Sequence, residues 1–139
     1  MARIAIHGFG RIGRSLMRVA LKDNLFVPVS ISDVKDISTL AALFEVDSNY
    51  GRWPEDVTTK DSRFVIGGRE IPYFDSMKSL PDWKALGVDL VMECTGLFNS
   101  KAKTAGHISA GAKKILLSAP GGKDVDATVV YGVNHHTLK

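Results

Sequence analysis

Gly8, Gly10 and Gly13 fit the spacing G-x-G-x-x-G inside the run Ile4-Ala5-Ile6-His7-Gly8-Phe9-Gly10-Arg11-Ile12-Gly13. The chemistry this spacing allows is the holding of a phosphate by backbone. The first glycine permits a tight turn, the second lets N–H groups approach a pyrophosphate, and the third lets a helix sit close on a strand. A helix N-terminus then offers unpaired N–H donors and a partial positive charge to the phosphates. Glycine is common, so the context decides: the motif follows an apolar, β-rich run and precedes a helical pattern. Asp33 lies twenty positions beyond Gly13, at the end of the next apolar run, where its carboxylate can accept hydrogen bonds from adenosine ribose hydroxyls. A dinucleotide is the expected ligand. Asp33 would repel the 2′-phosphate of NADP, and the nearest cation is Lys35, so NAD is favoured over NADP.

The elements that must position these residues alternate between two periods. Residues 2–7 read as a short buried strand. From Arg11 to about Lys22, Ile12, Leu16, Val19 and Ala20 recur at helical spacing, with Arg11, Arg14, Arg18 and Lys22 on the opposite, solvated side. Residues 26–32 give a second strand, its start made irregular by Pro28. Asp36 is placed to cap a helix carrying Leu40, Leu43 and Phe44. This βαβα rhythm implies parallel strands joined by right-handed crossovers. The middle breaks the rhythm: Phe64-Val65-Ile66, Gly67-Gly68 and Ile71-Pro72-Tyr73-Phe74 read as an inserted β-hairpin. Residues 82–86 suggest a helical turn. Strands are then expected at 88–94, 114–118 and 127–131, a helix at 100–110, and a loop at Gly121-Gly122-Lys123-Asp124. The fold class is α/β, Rossmann-type and doubly wound, with a mainly parallel sheet and residues 1–139 forming one domain.

In such a sheet, ligands bind beyond the carboxyl ends of the strands. Those ends carry the glycine turn, Ser32-Asp33, the segment Glu93-Cys94-Thr95-Gly96-Leu97-Phe98, and Ser118-Ala119-Pro120. Small, polar and flat residues thus converge on one edge. Cys94 reads as a small buried residue rather than a nucleophile. It is the single cysteine, which excludes an internal disulfide and a cysteine-cluster metal site. His107, His135 and His136 show no acidic or cysteine partner at ligand spacing, and no metal is expected. A net charge of +3 suits a small anionic ligand but not a nucleic acid. No apolar run approaches the length of a membrane span, and the amino terminus lacks a secretory pattern, so a cytoplasmic location is expected.

Five segments together carry a family resemblance. They are Gly8-Phe9-Gly10-Arg11-Ile12-Gly13-Arg14, Asp47-Ser48-Asn49-Tyr50-Gly51, Glu93-Cys94-Thr95-Gly96, Gly111-Ala112-Lys113-Lys114 with Ser118-Ala119-Pro120, and Tyr131-Gly132-Val133-Asn134. In order and over essentially the whole chain, they resemble the NAD-binding half of phosphorylating glyceraldehyde-3-phosphate dehydrogenases. The resemblance implies pyrophosphate contacts from the backbone N–H groups of Arg11 and Ile12, and a ribose contact from Asp33. It implies that Thr95, Gly96 and Phe98 flank the adenine and its ribose, and that Ser118 and Ala119 lie toward the nicotinamide. A contact the family often makes with arginine falls here at Met77 or Lys78. His7 and Ser32 stand where asparagine is usual. The family's nucleophilic cysteine belongs to a Ser-Asn-Ala-Ser-Cys-Thr-Thr-Asn segment that would follow Lys139, so the chain as given is expected to bind NAD without catalysing the reaction. The resemblance further implies a homotetrameric parent, and self-association of this part when the remainder does not cover it. Two alternatives share the same residues: the cofactor domain of an erythrose-4-phosphate dehydrogenase, similar around Leu80-Pro81, residues 86–89 and residues 126–134, and a natural stand-alone NAD-binding module.

Overall fold

A computed structural model describes residues 1–138; Lys139, the last residue of the expected domain, lies outside the described residues. β1 (Ile4–His7) leads through a tight turn into α1 (Arg11–Lys22), followed by β2 (Ser30–Asp33) and α2 (Ile37–Glu45). Two-residue strands β3 (Val46–Asp47) and β4 (Gly51–Arg52) pair with each other. An antiparallel meander follows: β5 (Val57–Lys60), β6 (Arg63–Ile66) and β7 (Arg69–Asp75). β8 (Leu90–Glu93), α3 (Lys101–Ser109), β9 (Lys114–Leu117) and a single 3₁₀ turn (His135–Thr137) complete the described chain.

The seven-stranded sheet runs β5-β6-β7-β2-β1-β8-β9, parallel from β7 to β9. The chain leaves β1 toward β2 on one side and reaches β8 on the other, so the direction of winding reverses at β1. That reversal opens a crevice between the carboxyl ends of β1 and β8. Side chains of β1 alternate between two cores, as strand geometry requires. Ile6 joins Phe9, Met17, Leu21, Ile31, Phe44 and Phe64 on one face, and Ala5 joins Trp83, Val88, Val91 and Ala112 on the other.

The expected hairpin is present and is joined to the main sheet. Its second strand, β7, pairs parallel with β2 through Ile31↔Tyr73 and Asp33↔Asp75 and is the third strand of the main sheet. β5 extends the meander at residues where alternation was too weak to read: Thr58, Thr59 and Lys60 are all exposed.

Two expectations about the elements are corrected. The buried stripe of α1 is Gly13, Met17, Ala20 and Leu21, while Ile12 and Val19 are half exposed (54% and 50%). Arg18 lies on the buried side, where its guanidinium donates to the carbonyls of Phe44 (2.5 Å) and Gly51 (3.0 Å) and faces the rings of Phe44 and Trp53. The carbonyls at the end of α2 need donors, and a long side chain from α1 supplies them. The second correction concerns residues 127–131, which form no strand. The Asn134 side chain instead accepts from Val130 N (2.6 Å) and donates to Thr128 O (3.0 Å), meeting locally the backbone groups a ladder would have used.

Candidate cofactor site

Four parallel strand ends, those of β2, β1, β8 and β9, lie side by side along the crevice, and their backbones interlock there. Gly8 N donates to Ser32 O (2.7 Å), Cys94 N to His7 O (2.7 Å) and Ser118 N to Glu93 O (3.1 Å). Gly8 has a positive φ of 91°, and a Cβ there would lie 2.6 Å from Thr95 N. A Cβ on Gly13 would lie 2.1 Å from Gly8 O. At Gly10 the same atom would meet nothing within 4 Å, so the turn is tight toward the protein and open outward. Gly10 is the N-cap of α1, no side chain caps it, and no acidic residue lies in the first turn. The N–H groups of Arg11 and Ile12 therefore begin an uncapped helix at an exposed position, an arrangement that favours an anion. The observed turn fits a bound dinucleotide phosphate.

Asp33 ends β2 beside this turn. Its Oδ2 accepts from Phe9 N (2.6 Å), and its Oδ1 accepts from Val34 N (2.7 Å) and Lys35 N (3.0 Å). An ionised carboxylate has about four acceptor positions. Three hold the carboxylate in place, and one is left to accept from a ligand hydroxyl. Phe9 contributes only its backbone, because its ring is fully buried against Phe44 and Phe64. Ser76 N donates to Asp33 O (2.9 Å), so Met77 and Lys78, both exposed, follow directly beyond the β7 end beside Asp33.

On the β8 side, the Thr95 hydroxyl and amide both donate to Glu93 Oε1, and Leu97 N donates to Thr95 Oγ1 (3.1 Å). Thr95 thereby shapes the turn that carries Gly96, which has φ 74° and open space where a Cβ would stand. Phe98 is half buried, edge-on to His7 (5.9 Å) and His107 (5.7 Å), so one part of its ring closes the core and the rest faces outward. Ser118 is exposed and Ala119 half exposed beyond the β9 end. The platform is an open shelf. A groove of about 710 Å³ lies elsewhere, along α1 and Trp53, and none of the expected cofactor residues lines it.

Beneath the shelf is a cluster that residue spacing did not reveal. His107, expected to have no acidic partner, is fully buried and bonded to Glu93 Oε2 through Nε2 (2.9 Å). Its other nitrogen, Nδ1, lies 3.1 Å from Trp83 Nε1. An indole nitrogen only donates, so Nδ1 accepts and Nε2 carries the hydrogen given to Glu93. His7 shares a hydrogen bond with Ser32 Oγ (2.7 Å) through Nδ1, and its Nε2 lies 3.8 Å from Glu93 Oε2. Among the described residues these three side chains bring potential ligand atoms within 4.8 Å of one another. The bonding pattern does not suit a cation: a metal on His107 Nε2 would move the hydrogen to Nδ1, against the Trp83 donor. Thr104 and His107, buried three residues apart on α3, were the available signal for this cluster. Burial pushes the Glu93 carboxyl up, but bonds from His107 and Thr95 and the nearby His7 outweigh it and hold the group below its ordinary range. Burial pushes the Cys94 thiol up to about 11, so the single cysteine stays protonated.

The model of the family described as "Glyceraldehyde 3-phosphate dehydrogenase, NAD binding domain" matches residues 2–101. The chain belongs to this family. It is 49% identical to a glyceraldehyde-3-phosphate dehydrogenase of Pseudomonas aeruginosa, an alignment that covers 99% of this chain and 42% of the relative. It is 46% identical to the plasmid-borne enzyme of that name from Cupriavidus necator (99% and 42%) and 48% identical to that of Chlamydia pneumoniae (98% and 41%). The chain spans about two fifths of the length of these curated relatives. Family membership makes it an NAD-binding domain with NAD as cofactor, in agreement with the winding reversal and the glycine turn.

Proposed function

We propose that this chain is the cofactor-holding part of an NAD-dependent enzyme that oxidises and phosphorylates glyceraldehyde 3-phosphate to 1,3-bisphosphoglycerate. The convergence of the glycine turn, Asp33 and the Thr95–Gly96 turn on the winding reversal at β1 is the observation that carries the reading. Bound NAD supplies the hydride acceptor. The N–H groups of Arg11 and Ile12 hold its pyrophosphate, and the remaining acceptor position of Asp33 holds the adenosine ribose. Thr95, Gly96 and Phe98 border the adenine side, Ser118 and Ala119 the nicotinamide side, and Met77 or Lys78 the outer rim beyond Asp33. The chain by itself contributes no nucleophile, because its one cysteine is 8% exposed and its thiol is held protonated. It therefore binds cofactor without oxidising an aldehyde. In the complete enzyme, we place it in a homotetramer acting in the cytoplasm. Among the described residues, no helix is long and apolar enough to cross a membrane.

Calorimetric titration with NAD and NADP at low salt tests this reading. Saturable NAD binding and weaker NADP binding are expected. Asp33→Ala removes a charge-assisted hydrogen bond and should weaken NAD by roughly tenfold or more. A folded chain that binds neither nucleotide would refute it, as would an Asp33→Ala variant that binds NAD as tightly as the parent.

A further inference from the structure

Tyr73 stands in β7, opposite Ile31 of β2, and its hydroxyl reaches along the sheet to the segment that follows Asp33. It is hydrogen-bonded to Lys35 O, and Asp33 O lies 3.1 Å away. One hydroxyl hydrogen serves one acceptor at a time. Asp33 O already receives Ser76 N–H at 2.9 Å, which leaves Lys35 O as the group that depends on Tyr73. The phenol is not a loose surface group. Its ring is half buried against the core and meets Phe64 edge-on, with centroids 5.7 Å apart and planes at 89°. Burial, and then the charges of Asp33, Asp75 and Asp36, push its pKa up to about 12, so it remains a donor throughout the ordinary pH range.

The pinned segment also orients the Asp33 carboxylate, whose Oδ1 is held by the amides of Val34 and Lys35. A ligand with a phosphate on the adenosine 2′-oxygen demands one of two movements: the carboxylate must swing away, or a cation must come in. The nearest cation in sequence is Lys35. A swing of the carboxylate breaks its bonds to the amides of Val34 and Lys35, and the Tyr73 bond to Lys35 O opposes it by holding those amides in place. We propose that Tyr73 is a specificity-determining positioning residue, which locks the 33–35 segment so that Asp33 accepts a plain ribose and refuses a 2′-phosphorylated one. This rests on the assignment of the ribose to Asp33 above.

The test is titration of the parent chain and Tyr73→Phe with NAD and with NADP, alongside amide hydrogen exchange. Phenylalanine keeps the ring packed on Phe64 and removes only the hydroxyl. Loss of one hydrogen bond should weaken NAD by roughly fivefold. NADP binding should stay level or tighten, so that the ratio of the two dissociation constants narrows by a similar factor. Exchange at Val34 and Lys35 should accelerate while exchange in β1 stays as in the parent. An unchanged ratio, including equal weakening of both nucleotides, would overturn the proposal, and so would unchanged exchange at Val34 and Lys35. Failure of the parent chain itself to bind NAD would instead overturn the cofactor assignment on which the proposal rests.

Discussion

His7 occupies a position between the shelf and the buried cluster, and its protonation is coupled to folding. Burial pushes its imidazole below the ordinary 6.5; Glu93 pulls the other way and only partly offsets this, and among the smaller effects His107 lowers it while Asp33 raises it. The unfolded chain therefore takes up a proton at higher pH than the folded one. Stability from this group is complete above about 6.5 and is lost as pH falls through that region. Glu93, held below its ordinary 4.5, contributes stability that is present above about 4.5 and lost on further acidification. The two effects share a direction, the first setting in below about 6.5 and the second below about 4.5. Thermal melting should begin to drop as pH falls below about 6.5, and His7→Asn should remove that onset while keeping the loss below about 4.5. Melting of His7→Asn with the same upper drop as the parent would place the titrating group elsewhere.

At the scale of elements, the β1-turn-α1 unit separates the needs of folding from those of binding. A methyl group at Gly13 has nowhere to go, since it meets the Gly8 carbonyl at 2.1 Å and α1 would have to lift off the strand. Gly13→Ala should cost about 3 kcal/mol or more, measured by denaturant unfolding. At Gly10 the methyl group projects into open space, on the surface where the pyrophosphate is expected. Gly10→Ala should cost about 1 kcal/mol, the difference between an acceptable N-cap residue and a poor one, yet weaken NAD by roughly tenfold or more by blocking close approach of the phosphates. Calorimetry on the two variants would distinguish these effects; a Gly10→Ala chain that binds normally would mean the phosphates sit away from this turn. The same division explains Arg18. Helical spacing put it on the solvated side, but the carbonyls of Phe44 and Gly51 needed donors more than the guanidinium needed water.

Across the whole molecule, the two sheet edges differ in how they meet solvent. β5 ends the sheet with Thr58, Thr59 and Lys60 exposed, a polar margin that discourages pairing. β9 ends it with Ile115 and Leu117 partly buried and Leu116 48% exposed, and Val130, Tyr131 and Val133 are exposed beyond it. An apolar edge strand is a template for another strand. Sedimentation of the chain should show association that grows with concentration, and Leu116→Lys should suppress it. Equal behaviour of the two proteins would move the sticky surface away from β9.

The sequence by itself determined what local rules govern: the α/β class, the tight glycine turn between β1 and α1, and the Asp36 cap of α2. Each depends on residues a few positions apart, so spacing alone carries it. Local rules also placed Cys94 correctly as a buried thiol. Tertiary structure decided everything that depends on which chain-distant groups meet. Trp83, Glu93 and His107 lie on separate elements, and only the fold brings them to one bonding network with His7. Residues 127–131 have strand-like composition, but an asparagine side chain met their backbone groups first. Tyr73 read as one apolar residue of a hairpin until β7 lay parallel to β2 and carried its hydroxyl to Lys35. A hydrogen bond needs its partner within about 3 Å, and no sequence period encodes that distance across forty residues.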